Sequence, residues 1–185
     1  LDIADAAGAE IVRCEPGRGM QLMAGAEKAR FPWLLFLHAD TVLEPGWHDE
    51  ARSFIDTVEA KRVSPAAAVF RFSLDDTGLA PRIVEAGVAV RCTLFKLPYG
   101  DQGLLIPARL FREIGGYKPL PLMEDVDIVR RLGRRRIVML RSRAITSAAR
   151  YRRDGYGRRI ARNLSCLGLY LLGTPVEKIS RFYER

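Results

Sequence analysis

At 185 residues, with 48% apolar and 28% charged side chains, the chain is long enough to close one substantial core and too short for two ordinary domains. Its uninterrupted apolar stretches, such as Trp33 to Leu37, fall far short of the roughly 20 residues a membrane-spanning helix needs, and no signal-peptide pattern opens it, so a cytoplasmic location is expected. The net charge of +8 is concentrated: between Arg130 and Arg162 lie thirteen arginines and one acid, Asp154, a block that either meets an anion or forms a solvated face. Cys14, Cys92 and Cys166 are odd in number and widely spaced, which matches neither a disulfide framework nor a zinc pattern. A reducing compartment and three small buried side chains are expected.

In chain order, Leu1, Ile3, Ala4 and Ala7 recur at helical spacing and Gly8 stops them, so the sequence reads as opening inside a helix. Glu10 to Cys14 reads as a strand, Pro16-Gly17-Arg18-Gly19 as a turn, Met20 to Arg30 as a helix, and Trp33 to Leu37 as a strand covered on both faces. That succession predicts a parallel strand-helix-strand unit. Pro45 and Gly46 open a helix to about Ala60; Ala67 to Ser73 is a strand and Pro81 to Phe95 a helix. Gly103 to Ile106 is a short strand before the helix Ala108 to Ile114, which Gly115-Gly116 breaks. A helix from Glu124-Asp125 to Gly133 precedes the strand Ile137 to Leu140. Beyond Asp154 the chain is helical, with Ile160, Leu164, Leu167 and Leu171 as an apolar stripe that Gly173-Thr174-Pro175 ends. The expected architecture is an open, mostly parallel α/β sheet with flanking helices over residues 1–150 and a basic helical extension over 151–185.

In such a sheet ligands bind beyond the carboxyl ends of the strands, where loops and helix amino ends converge. Arg18, His38 and Asp40 fall at such positions. An aspartate there can hold a hard divalent cation whose other positions go to water and phosphate; the same spacing suits a turn-capping Asp40 and a core His38. Met123-Glu124-Asp125-Val126-Asp127 sets three carboxylates at a helix start, where the helix dipole favours acids and where crowding raises carboxylate pKa values toward general-base use. Asp101 and Gln102, between Gly100 and Gly103, suit either a close approach of backbone to ligand or an ordinary glycine turn. The chain has no Gly-x-Gly-x-x-Gly, Walker or Gly-x-Ser-x-Gly pattern.

Gly17-Arg18-Gly19-Met20-Gln21, Phe36-Leu37-His38-Ala39-Asp40-Thr41, Gly100-Asp101-Gln102-Gly103 and Met123-Glu124-Asp125-Val126-Asp127, in this order, resemble family 2 glycosyltransferases, specifically the small bacterial branch labelled transferase 2, rSAM/selenodomain-associated. The resemblance implies a GT-A fold and transfer of a sugar from a nucleotide-sugar donor to an acceptor hydroxyl, with inversion. It implies that Asp40, with His38 where the family carries a first aspartate, holds a weakly bound Mn2+ or Mg2+ and the donor diphosphate. Asp125, supported by Glu124, would be the base; Arg18, Arg150 and Arg152 would face the phosphates, and Gly100, Asp101 and Gln102 the sugar or acceptor. Family members open with a strand, a loop and a second strand that read the nucleotide base, so an N-terminally incomplete domain with weak nucleotide binding is expected. A nucleotidyltransferase of similar fold is one alternative. A nonenzymatic anion-binding or nucleic-acid-binding module is another, although the basic tract lacks the interleaved aromatics of a nucleic-acid binder. The C-terminal stripe bounded by Arg158, Arg159, Arg162 and Lys178 is basic and amphipathic, which suits contact with the inner face of a membrane and a lipid-linked acceptor, and equally suits core packing or a dimer contact. The oligomeric state has no signature in the sequence.

Overall fold

The structure, a computed structural model, describes residue 4 and residues 6–184. Most of the expected opening helix therefore lies outside the described residues. Helix α1 spans Arg18–Lys28, strand β1 Trp33–Phe36, strand β2 Thr41–Leu43, helix α2 Trp47–Glu59, strand β3 Ala67–Leu74 and helix α3 Leu79–Phe95. After a turn of 3-10 helix at Gly100–Gln102 come β4 (Leu104–Pro107), α4 (Ala108–Glu113) and α5 (Glu124–Leu132). A second such turn, Arg134–Arg136, leads to β5 (Ile137–Thr146), α6 (Ala149–Asp154), α7 (Tyr156–Leu171) and α8 (Val176–Glu184).

The five strands form one mixed sheet in the order β1-β4-β3-β5-β2, so the α/β class holds. The mostly parallel arrangement does not. Only β3 and β5 pair in parallel, while β1 with β4, β4 with β3, and β2 with β5 are antiparallel. The reason lies in the connections. β2 follows β1 after four residues and crosses to the far edge of the curled sheet, and β4 enters from a short turn at the same end as the carboxyl end of β3. The first link is too short for the helical crossover a parallel neighbour requires, and the second, which carries α3, brings the chain back to the end of the sheet it left before the 3-10 turn feeds β4. The strand expected at Glu10 to Cys14 is absent: that segment is exposed and pairs with no described strand. Cys14 is exposed with it, whereas Cys92 and Cys166 are buried as expected.

Both sheet faces carry helices, and the period-two alternation of the strands decides which side chain goes where. Leu34, Val69, Leu104 and Ile106 pack with Phe111, Ile128 and the inner residues of α1. Trp33, Leu35, Phe70, Leu105 and Leu140 meet Ala51 and Phe54 of α2 on the other side. β5 runs six residues past its expected end at Leu140. Its polar stretch survives in the sheet because Glu50 accepts hydrogen bonds from the backbone N–H groups of Arg141 and Ser142, at 2.7 and 2.8 Å, beside the register shift between β3 and β5. A third cluster joins Phe72 and Leu74 to Val84, Tyr151, Tyr156 and Ile160; a fourth joins Leu122 to Cys166 and Ile179. The C-terminal helices are thereby folded back over the carboxyl ends of β3 and β5. The apolar stripe of the C-terminal segment is divided by this packing: Ile160 turns inward, Leu164 and Leu171 stay exposed, and Arg159 is buried.

Candidate functional site

β1, β3 and β5 all point their carboxyl ends toward one edge of the sheet, and a cleft opens there. Its walls include Arg18, His38, Asp40, Asp101, Asp125 and Arg150, six side chains from five separate stretches of sequence. The chain reaches this edge at His38 and Asp40 as it crosses from β1 to β2. Two backbone bonds hold the crossing: Thr41 N–H to His38 O at 3.1 Å and Ser147 N–H to Asp40 O at 2.9 Å. Asp40 is exposed to the cleft, and its carboxylate accepts no hydrogen bond from a described residue.

Asp125 occupies the first turn of α5, whose amino end faces the cleft. The left-handed conformation of Met123, φ 64°, turns the chain sharply into that helix. One carboxylate oxygen, Oδ2, accepts the Gly100 N–H at 2.8 Å, and Oδ1 accepts the Val126 N–H at 2.7 Å. Gly100 is glycine for a steric reason: a Cβ there would lie 2.6 Å from His38 Nε2 and 3.5 Å from the Asp125 Cβ. His38, Gly100 and Asp125 thus form one contiguous wall. Burial of the His38 ring lowers its pKa from the ordinary 6.5, with the Arg18 and Arg150 charges acting in the same sense against Asp125 and Asp40. Its imidazole is neutral at pH 7 and can accept a hydrogen bond or ligate a cation.

The three acids of the Met123 to Asp127 motif separate into three roles. Asp125 faces the cleft. Glu124 is 1% exposed, lies 3.9 Å from Arg18 Nη1, and leaves Oε2 buried without a hydrogen-bonding partner among the described residues; burial and the neighbouring Asp125 charge raise its pKa. Asp127 is structural, bonded to Lys118 at 3.1 Å and to Arg131 at 2.7 Å.

Asp101 and Gln102 also part company. Asp101 retains some exposed surface, but its Oδ1 is buried without a hydrogen-bonding partner among the described residues, and burial pushes its pKa up to about 7 against the Arg91 charge, with Asp125 and Asp40 adding to the rise. Gln102, read as a sugar-pocket residue, instead faces the interior at 1% exposure. Its amide donates to Phe70 O at 3.0 Å, and its oxygen accepts from the Cys92 thiol at 3.2 Å and the Tyr99 N–H at 3.3 Å. It braces the turn that presents Asp101. Arg152 points away from the cleft, toward Asp76 at 3.5 Å and Asp75 at 3.8 Å, so of the two arginines expected at the phosphates from α6 it is Arg150 that lines the site.

Several lining residues lie outside the expected site: Tyr99, Ser147, Asn163, Tyr183 and Arg159, the last expected instead on an exposed basic stripe. Tyr99 adjoins the Gly100-Asp101 motif, and its ring lies 3.4 Å from the guanidinium carbon of Arg91. Arg159 is 7% exposed, pairs with Asp154 at 3.5 Å and donates to the Tyr183 hydroxyl, a contact between α7 and α8 that only their folding back creates.

No group of three or more His, Cys, Asp or Glu side chains among the described residues is arranged to hold a metal ion. The donors present are one carboxylate without a hydrogen-bonding partner, Asp40, and a neutral His38. Such a pair fits a hard divalent cation only when phosphate and water complete the coordination. Among the described residues no helix is long and apolar enough to cross a membrane. No protein-family model matches the chain, and no curated protein matches it. The crystal structure of a mycobacterial protein overlaps 78% of the chain at 16% identity with a TM-score of 0.43, a likeness too loose to carry fold or function from one to the other; the chain spans half the length of that protein.

Proposed function

We propose that the chain is the catalytic domain of a nucleotide-sugar glycosyltransferase of GT-A type, moving a sugar onto an acceptor hydroxyl with inversion. The observation that carries the proposal is the convergence of Asp40, Arg18 and Arg150 with Asp125 in one cleft at the carboxyl ends of β1, β3 and β5. Cations and a carboxylate free of hydrogen-bonding partners on one wall suit a diphosphate, and a carboxylate on the facing helix suits a hydroxyl. Asp125 would take the proton from the acceptor hydroxyl, whose oxygen forms the new bond to the anomeric carbon as the bond to the diphosphate oxygen breaks. The nucleoside diphosphate leaves with that electron pair, its charge met by Arg18 and Arg150. Mn2+ or Mg2+, held by Asp40 with His38 beside it, would neutralise further charge on the leaving group when bound. Asp101, half protonated near pH 7, can donate to a sugar hydroxyl as well as accept from one.

Titration calorimetry of UDP and GDP, with and without Mn2+, tests this. Metal-dependent binding that is lost in Asp40→Ala supports the proposal, and product analysis with nucleotide sugars then separates sugar transfer from nucleotidyl transfer. Nucleotide binding unchanged by Asp40→Ala and Arg18→Ala, or no binding at all, overturns it.

A further inference from the structure

α3 is unlike the other long helices in having almost no polar outer surface. Leu79, Ile83, Val90, Leu94 and Phe95 are each more than half exposed, and the first four, with Gly87 between them, recur at the spacing of a single helix face. The helix has three charged residues, and all are engaged elsewhere. Glu85 accepts from Ser73 Oγ and the Leu74 N–H, Arg82 pairs with Glu85 at 2.5 Å, and Arg91 reaches inward to Leu97 O at 2.9 Å. A helix apolar on its outer as well as its inner side is ordinarily covered by something.

The carboxyl end and one flank of this ridge are cationic. Arg134 donates to the Leu94 carbonyl at the carboxyl end of α3, and Lys96 caps that end in a left-handed conformation, φ 50°. Along one flank a groove separates α3 from the sheet, with Ala86 and Ala89 of α3 on one side and Arg71 and Arg143 on the other. Those two arginines are direct cross-strand partners of β3 and β5, and neither forms an ion pair with a described residue. Like charges placed opposite each other in a sheet are unfavourable unless an anion meets them.

We infer that the outer face of α3 is a docking surface for an anionic lipid membrane. The apolar ridge lies in the acyl boundary and Arg71, Arg143, Arg134 and Lys96 meet the phosphate headgroups. This differs from the C-terminal stripe suggested by the sequence, whose Ile160 and Arg159 are turned into the protein. A second copy of the chain fits the face less well. With 17 residues, α3 offers a ridge about 25 Å long and about 10 Å wide, roughly 250 Å2, against about 800 Å2 per partner in a stable interface. Self-association would also bring the cations of two copies together, and the inference does not depend on the glycosyltransferase reading.

Flotation with vesicles of phosphatidylcholine alone and of phosphatidylcholine with phosphatidylglycerol, at low and high salt, tests it. Binding to the anionic vesicles is expected, weakened by salt. The double variant Ile83→Glu/Leu94→Glu should lower partitioning by about a hundredfold, from two lost apolar anchors. Arg71→Gln/Arg143→Gln should remove most of the anionic preference while leaving the ridge intact. Both pairs are exposed, so the melting temperature and nucleotide calorimetry of the variants should match those of the unaltered chain. Absence of binding to anionic vesicles overturns the inference, as does binding indifferent to both double variants. Light scattering that shows a dimer broken by Ile83→Glu/Leu94→Glu, without vesicle binding, assigns the face to a second copy and also overturns it.

Discussion

Replacing Asp101 with asparagine keeps the shape of the side chain and removes its titration, which turns the electrostatics of the cleft into a stability measurement. The carboxyl has an ordinary pKa of 3.8 and is pushed up to about 7 by burial, with Asp125 and Asp40 adding to the rise. Between those values the folded chain binds more protons at this site than the unfolded chain, so stability falls as pH rises. The sign is therefore fixed: below pH 3.8 the carboxyl costs nothing relative to the amide, and the full penalty is reached once the pH passes about 7. At about 1.4 kcal/mol per pH unit the penalty is on the order of 4 kcal/mol. For a chain of this size about 2–4 °C accompanies each kcal/mol, so the melting temperatures of the two proteins should diverge by roughly 10 °C at pH 8 and coincide near pH 4. Differential scanning fluorimetry from pH 4 to pH 8 on both proteins measures this, and the difference curve isolates Asp101 from the similarly raised Glu124. A difference independent of pH, or one in which the aspartate protein gains stability as pH rises, would mean that the Asp101 carboxyl is not held protonated by its burial.

Gly19→Ala should fail to fold or lose several kcal/mol in urea denaturation, because its Cβ would lie 1.9 Å from the Lys118 carbonyl oxygen, a backbone atom that cannot step aside. Asp125→Asn should leave nucleotide binding by calorimetry nearly unchanged and lower the transfer rate by about 10²–10⁴-fold, the range of a lost general base. Arg150→Ala should weaken diphosphate binding, whereas Arg152→Ala, which breaks only half-exposed pairs with Asp75 and Asp76, should leave calorimetric binding intact and shift stability by no more than about 1 kcal/mol.

Most of the local elements, and the segments that converge on the cleft, are legible along the chain. The apolar run at Trp33 to Phe36, the glycine pair after α4 and the acidic start of α5 are signals written within a few residues, and the backbone obeys them. Arg18, His38, Asp40, Asp101 and Asp125 were legible because each adjoins such a boundary. Strand direction is not legible in this way, since whether β4 runs with or against β3 depends on the pairing across the sheet and not on the composition of either strand. Tertiary packing also sets which member of each motif faces the cleft. Asp101 and Gln102 are neighbours of similar polarity, yet the turn sends one into the cleft and the other to Phe70 O. The same holds for Arg150 and Arg152, and for Arg159 and Tyr183, which meet because α7 and α8 fold back over the sheet. Charge and helix period are properties of adjacent residues and can be read along the chain. The direction of a side chain is settled by what packs behind it, and those atoms come from distant parts of the sequence.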